Sequence, residues 1–281
     1  MKRKIINLFV ILLLLAGVIL LAYPYISFWL SERDQSYVVQ QYDDTLKNMT
    51  DEHLSEEWER ARAYNDALAT TTLYDPFASG QEEMDVEYLS LLNIDENGVM
   101  CYVKIPKINV ELPVYHGTSS NVLNKSIGHL EGSSLPVGGE GTHSILTGHT
   151  GLSTLKLFTD LIELAVGDEF YIRTLDQTLA YRVDHIIVIE PTETEALEPV
   201  PGKDYVTLIT CTPYGVNSHR LLVRGERIEY TPEEIEQRIE DTDSALSKET
   251  LLLYAGIALL VLLILVILMI KLLKRKRRKK V

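Results

Sequence analysis

The sequence predicts a mainly β domain, a barrel or sandwich, preceded by a helical arm and bounded by two apolar ends. Three observations predict it. From Gly98 onward the chain breaks into short runs of β-branched and aliphatic residues with turn residues between them. Residues 32–70 are polar and rich in strong helix formers. Residues 5–23, apolar apart from Asn7, and residues 251–270, which carry no charge, are each long enough to cross a hydrocarbon core of about 30 Å.

The ends come first. Lys2, Arg3 and Lys4 precede the first apolar run, and eight basic residues between Lys271 and Lys280 follow the second. Basic clusters outside both runs place both termini in the cytoplasm. Residues 1–30 are read as a transmembrane or signal anchor, with a cleaved signal peptide as the alternative. Residues 251–281 are read as a second anchor with a basic tail. The stretch between, about 31–249, then faces the outside. It holds all 40 acidic residues and 16 of the 27 Lys and Arg, a formal charge of −24 in a chain whose total is −13. That excludes nucleic acid as a partner. Such acidity maintains solubility, and it also suits cationic, lysine-bearing partners.

Residues 31–97 form the arm. Leu54, Trp58, Ala61 and Asn65 fall close to one helical face, so one or two helices pack on the domain behind. Residues 70–80 break that pattern, with Pro76 and Gly80 marking a loop. Residues 98–230 form the β domain. Strands are expected at 101–105, 106–115 (with a turn at its start), 144–147, 169–173, 180–189, 205–210 and 221–227. Residues 128–141, rich in Gly, Ser and Pro, read as loop, and 156–161 as a short helix or turn. Residues 231–250 are a helix opened by Pro232, then a Ser/Thr/Asp linker.

The chemistry gathers at Thr207-Leu208-Ile209-Thr210-Cys211. This short strand delivers a cysteine to its own end, and Arg220 opens the next strand after a loop. If the two strands pair as a hairpin, Arg220 sits beside Cys211, where a guanidinium lowers the thiol pKa or holds an oxyanion. The proton carrier is sought among seven histidines. His149, between glycines in Gly148-His149-Thr150-Gly151, follows an apolar strand and stands free. His143, which begins that strand, is its main competitor, ahead of His129. His219 should point to the opposite face from Arg220. Arg224 shares Arg220's strand face, farther from the loop. Asn217 is the nearest Asn or Asp to serve as a third member. Cys101, in a strand pattern, reads as a core residue and not as a disulfide partner. Two cysteines without Cys-x-x-Cys spacing give no zinc framework.

This set resembles the sortases, membrane-bound cysteine transpeptidases of Gram-positive bacteria. The TLxTC signature is complete at 207–211, and Arg220 and the Gly-His-x-Gly at 148–151 stand in the expected order. The resemblance covers roughly 98–228. It implies an eight-stranded β-barrel with short helices, with Cys211, His149 and Arg220 catalytic. Asp75, Pro76 and Phe77, in Leu73-Tyr74-Asp75-Pro76-Phe77, resemble the Asp-Pro-aromatic lid of class C, pilin-polymerising sortases. In that class the acid pairs with the site's arginine and the ring lies on the cysteine. An ordinary Asp-Pro turn is the other reading. The C-terminal span also matches class C.

The resemblance implies recognition of an LPxTG-like sorting signal on a pilin subunit. Cleavage falls between Thr and Gly, and transfer goes to a lysine amine of the next pilin. No metal or organic cofactor is implied. Two alternatives stay open. One is a housekeeping sortase that joins proteins to cell-wall precursor. The other is a non-catalytic, membrane-tethered module that holds sorting signals or pilins.

Overall fold

The structure, a computed structural model, describes residues 2–68, 73–78, 84–95, 97–152 and 155–242. The chain divides into two units, Met1–Pro232 and Glu233–Val281. The described part of the second, 233–242, is helical.

The first unit opens with two helices, α1 (Lys2–Lys47) and α2 (Asp51–Ala67). On α1, Gln35, Val39, Tyr42 and Leu46 are buried at spacings of 4, 3 and 4, one stripe of a helix. Tyr42 is fully buried; its hydroxyl donates to Met100 O at 3.1 Å and accepts from Leu175 N at 2.9 Å. On α2, Thr50 caps the N-terminus by accepting from His53 N, and Asp51 and Glu52 favour the positive end of the helix dipole. Trp58 and Ala61 are buried and Leu54 packs beside them. Asn65 faces the domain for a polar reason: it accepts from Leu135 N at 2.8 Å and donates to Leu135 O at 3.2 Å. A short helix, α3 (Val86–Ser90), leads to the barrel.

Eight strands follow: β1 (Val99–Ile105), β2 (Val110–His116), β3 (Ile127–His129), β4 (Thr142–Thr147), β5 (Glu169–Thr174), β6 (Gln177–Ile189), β7 (Asp204–Thr212) and β8 (His219–Ile228). A one-turn helix, α4 (Ser120–Leu123), sits between β2 and β3. The strands close into a barrel in the order β1-β2-β3-β4-β7-β8-β6-β5. Closure leaves no unpaired edge, which suits strands this short. A correction falls on 128–141, read from sequence as loop. Gly128 and His129 belong to β3, which pairs parallel with β2 and antiparallel with β4. Residues 159–163 form a single 3-10 turn in the region expected to hold a short helix or turn.

Among the described residues no helix is long and apolar enough to cross a membrane. Residues 5–23 lie within α1, but most of their side chains lie outside the described residues, as does the whole 251–270 run.

Candidate active site

The hairpin expected from sequence forms. In the β7–β8 ladder Cys211 lies opposite Arg220 and Thr212 opposite His219. Facing residues of a ladder project to the same side, so thiol and guanidinium share a face. On the other edge of β7, β4 runs parallel and ends with Thr147 opposite Ile209; two residues on in the chain come His149, in the loop after β4, and Cys211, still in β7. Two hydrogen bonds fix this junction. Gly148 N donates to Ile209 O at 3.0 Å, and Thr210 Oγ1 donates to Gly148 O at 2.8 Å. Gly148 has to lack a side chain, because a Cβ there would stand 2.8 Å from Cδ2 of buried Phe158. Three adjacent strands thus bring Cys211, His149 and Arg220 to one corner of the barrel.

Residues 73–78 lie over that corner. Arg220 donates from Nε to Asp75 Oδ1 at 2.7 Å and from Nη2 to Oδ2 at 2.6 Å. The two side chains are only 10% and 13% exposed. The Phe77 ring centroid is 5.0 Å from Arg220 Cζ and 5.4 Å from the His149 ring. Pro76, between Asp75 and Phe77 in the chain, is buried. Asp75 also shapes its own turn: Oδ1 accepts from Phe77 N at 3.4 Å, and its carbonyl accepts from Ala78 N at 3.0 Å. Leu73, to which the sequence assigns no role, is buried in a second apolar cluster with Leu130, Ile145, Leu197, Ile209 and Leu222, against which Phe77 packs. The segment is therefore docked at three points, which an ordinary surface turn is not.

The electrostatics correct one expectation. Burial pushes the Cys211 thiol up; Arg220 pulls it down, but Asp75 works against that pull and the net shift is upward. The guanidinium alone would favour the thiolate, yet here its charge is shared with a carboxylate. Burial lowers the pKa of His149. Both shifts favour the uncharged forms, thiol and neutral imidazole, in this closed arrangement.

The competing residues are engaged elsewhere. His143 is buried and held at both ring nitrogens: Nδ1 donates to Glu198 O at 3.0 Å, and Nε2 accepts from Thr207 Oγ1 at 2.7 Å. Burial takes its pKa down to about 4. His129, also fully buried and at about 4, bonds Tyr88 Oη at 3.0 Å and Ser134 O at 2.9 Å. Arg224 forms a two-point pair with Asp184 at 3.0 and 2.6 Å. His219 Nδ1 bonds Ser218 Oγ at 2.8 Å. Cys101 is fully buried with its thiol pushed well up by burial, and both cysteines are free. Asn217 contributes a backbone carbonyl, which accepts from Arg220 Nη1 at 3.1 Å. Among the described residues, no group of three or more His, Cys, Asp or Glu is placed to hold a metal ion.

A sortase-domain family model matches residues 103–228. Sortase C-1 from Actinomyces oris is 51% identical, with a TM-score of 0.61 over 64% of this chain and 99% of that one. A pilus-related sortase C of Group B Streptococcus is 40% identical, with a TM-score of 0.63 over 68% of this chain and 97% of that one. Sortase A of Bacillus anthracis is 27% identical over 228 residues, 81% of this chain and 96% of the relative. A closed eight-stranded barrel with a cysteine on one strand of a hairpin and an arginine on the other, seen with these matches, defines a cysteine transpeptidase. The chain belongs to the sortase family, and both of these solved structures, matched over nearly their whole length, are class C sortases.

Proposed function

We propose that this sortase is a membrane-anchored, pilin-polymerising transpeptidase that cleaves an LPxTG-like signal between Thr and Gly. His149 takes the Cys211 thiol proton as the sulfur attacks the Thr carbonyl carbon, and the carbonyl oxygen takes the electron pair under the fork of Arg220. Collapse of that oxyanion breaks the Thr–Gly bond, and His149 gives its proton to the departing Gly amine. A neutral lysine amine of a second pilin then attacks the thioester. His149 takes the amine proton and passes it to the departing Cys211 sulfur as the isopeptide bond forms, which restores the thiol and the neutral imidazole.

The observation that carries this reading is the docked segment 73–78, with Asp75 on Arg220 and Phe77 on Arg220 and His149. The likeness to a pilus-related sortase C supports it. A housekeeping sortase shares the three catalytic positions but has no need of such a cover, and the 27% match to a sortase A is the weaker likeness. Residues 31–249 are outside in this reading, with both termini cytoplasmic, as the basic ends require.

The test incubates the purified full chain with a sorting-signal peptide, or with signal-bearing pilins that carry candidate acceptor lysines. A covalent ladder resistant to denaturant, lost in Cys211→Ala, is expected. Peptide cleavage without any pilin ladder, but with transfer to a cell-wall precursor analogue, would move the chain to the housekeeping role.

A further inference from the structure

We infer that Asn217 is a positioning residue for Arg220, acting through its backbone conformation and not through its side-chain amide. Asn217 sits in the β7–β8 loop at φ +58°, in the left-handed region. Its side chain is exposed and has no hydrogen bond among the described residues. Its backbone is fully used. The N–H donates to Pro213 O at 2.9 Å, and the carbonyl accepts from Arg220 Nη1 at 3.1 Å. Nη1 also donates to His219 O at 3.0 Å.

A guanidinium is a rigid planar fork of five N–H donors. Here its donors divide into two sets. Nη1 goes to two carbonyls of its own loop, while Nε and Nη2 go to the Asp75 carboxylate. When Asp75 leaves, Nε and Nη2 become free to meet a substrate carbonyl, while Nη1 stays tied. The loop, not the lid, thus sets where the free donors point. That aim depends on residue 217 staying left-handed, because a return to ordinary backbone angles swings its carbonyl away from Nη1. Glycine adopts this region freely, Asn and Asp tolerate it, and β-branched residues resist it. The choice of Asn at an exposed position with an unused amide follows from that preference.

The inference rests on the reading of Arg220 as the carbonyl or oxyanion donor. The test compares wild type, Asn217→Gly, Asn217→Ala and Asn217→Val, each as the purified full chain, by kcat and KM for sorting-signal peptide cleavage. Asn217→Gly should stay within about twofold of wild type, and Asn217→Val should lose about tenfold or more in kcat/KM, mostly in kcat, the scale of a misaimed group. Asn217→Ala should fall between. All variants should stay folded by circular dichroism, with the Asn217→Val midpoint lowered only by its local backbone strain. A loss in Asn217→Gly equal to that in Asn217→Val would assign the work to the amide and overturn the inference, as would full activity in Asn217→Val. A second readout needs no substrate. In the Asp75→Ala background, phenylglyoxal should modify Arg220 faster with Val at 217 than with Gly, and equal rates would overturn the inference. A wild type that fails to cleave the peptide would sink the sorting-signal reading alone and leave this second readout to decide.

Discussion

Replacing Asp75 and Phe77 together by Ala should unlock the site. The magnitude follows from the two interactions that hold Arg220 under the lid. The Asp75–Arg220 pair is a two-point, charge-assisted hydrogen bond between groups only 13% and 10% exposed; such bonds contribute about 1.5–3 kcal/mol. The Phe77 ring on the guanidinium adds about 1 kcal/mol. Leu73 keeps its place in the apolar cluster in the variant, so closure is weakened and not abolished. A loss of roughly 2–4 kcal/mol raises the open fraction by one to three orders of magnitude, capped once the open form dominates. The assay is the rate at which a bulky maleimide labels Cys211, followed by mass spectrometry across pH 6–10. The rate should rise by at least about tenfold at neutral pH. Its pH profile should also shift to lower pH, because removing Asp75 removes a charge that holds the thiol up while leaving the pull of Arg220. Cleavage of short sorting-signal peptides should rise in parallel. Equal labelling rates in the wild type and the double variant, with both folded by circular dichroism, would remove the lid from the account.

Cys211→Ala should abolish peptide cleavage with little change in thermal midpoint, whereas Cys101→Ala, a substitution in the fully buried core, should leave cleavage intact; a dead Cys101 variant would relocate the nucleophile. His149→Ala should lower kcat by at least about a hundredfold, and Arg220→Lys should also be poor because an ammonium does not reproduce the planar fork. His143→Ala should instead lose stability, since it leaves Glu198 O and Thr207 Oγ1 without their buried partner; a stable but inactive His143 variant would transfer the proton-carrying role to it. Stability measured by urea titration should fall between pH 6.5 and 4. His129 and His143 stay neutral down to about 4 when folded but take protons near 6.5 when unfolded. Each therefore contributes stability that is present above 6.5 and lost as pH falls, about 3 kcal/mol apiece. A flat profile across that window would show that the two rings are not held neutral. In wall-stripped cells, protease should remove residues 31–249 and spare a C-terminal tag; loss of the tag would refute the proposed topology.

Much of the barrel was legible because its strands are dense in β-branched residues bounded by turn signals, and the pairing of Cys211 with Arg220 followed from a hairpin alone. β3 was not legible. It is three residues long, includes a glycine, and is extended only because β2 and β4 offer it partners on both sides. The aspartate and aromatic ring at 75 and 77 could be picked out as a motif. What docks them could not, since Leu73 meets Leu130, Ile145, Ile209 and Leu222 from segments far apart in sequence. The Gly-His-x-Gly pattern already favoured His149 over His143, and hydrogen-bond geometry supplies a physical reason to set His143 aside. Both flank one strand, but only His143 finds a carbonyl and a hydroxyl at its two nitrogens. The thiol went the other way from the local expectation first because the fold buries it, and then because a carboxylate 145 residues upstream of Arg220 opposes the guanidinium's pull.

That sharing also orders the proposed cycle. Arg220 cannot present Nε and Nη2 to Asp75 and to a substrate carbonyl at the same time. The closed and working forms are therefore mutually exclusive at a single side chain. Closure blocks the site in three ways at once: it occupies the fork, lays a ring against His149, and supplies a negative charge that adds to burial in holding the Cys211 thiol up. Opening reverses all three together, so displacing Asp75 frees the fork and relieves the thiol in one movement. Selectivity then falls on whatever displaces Asp75. A free peptide must offset the full closure energy from its own contacts. A folded pilin brings additional surface to the same task, and the proposed polymerase would on that account favour whole subunits over isolated signals.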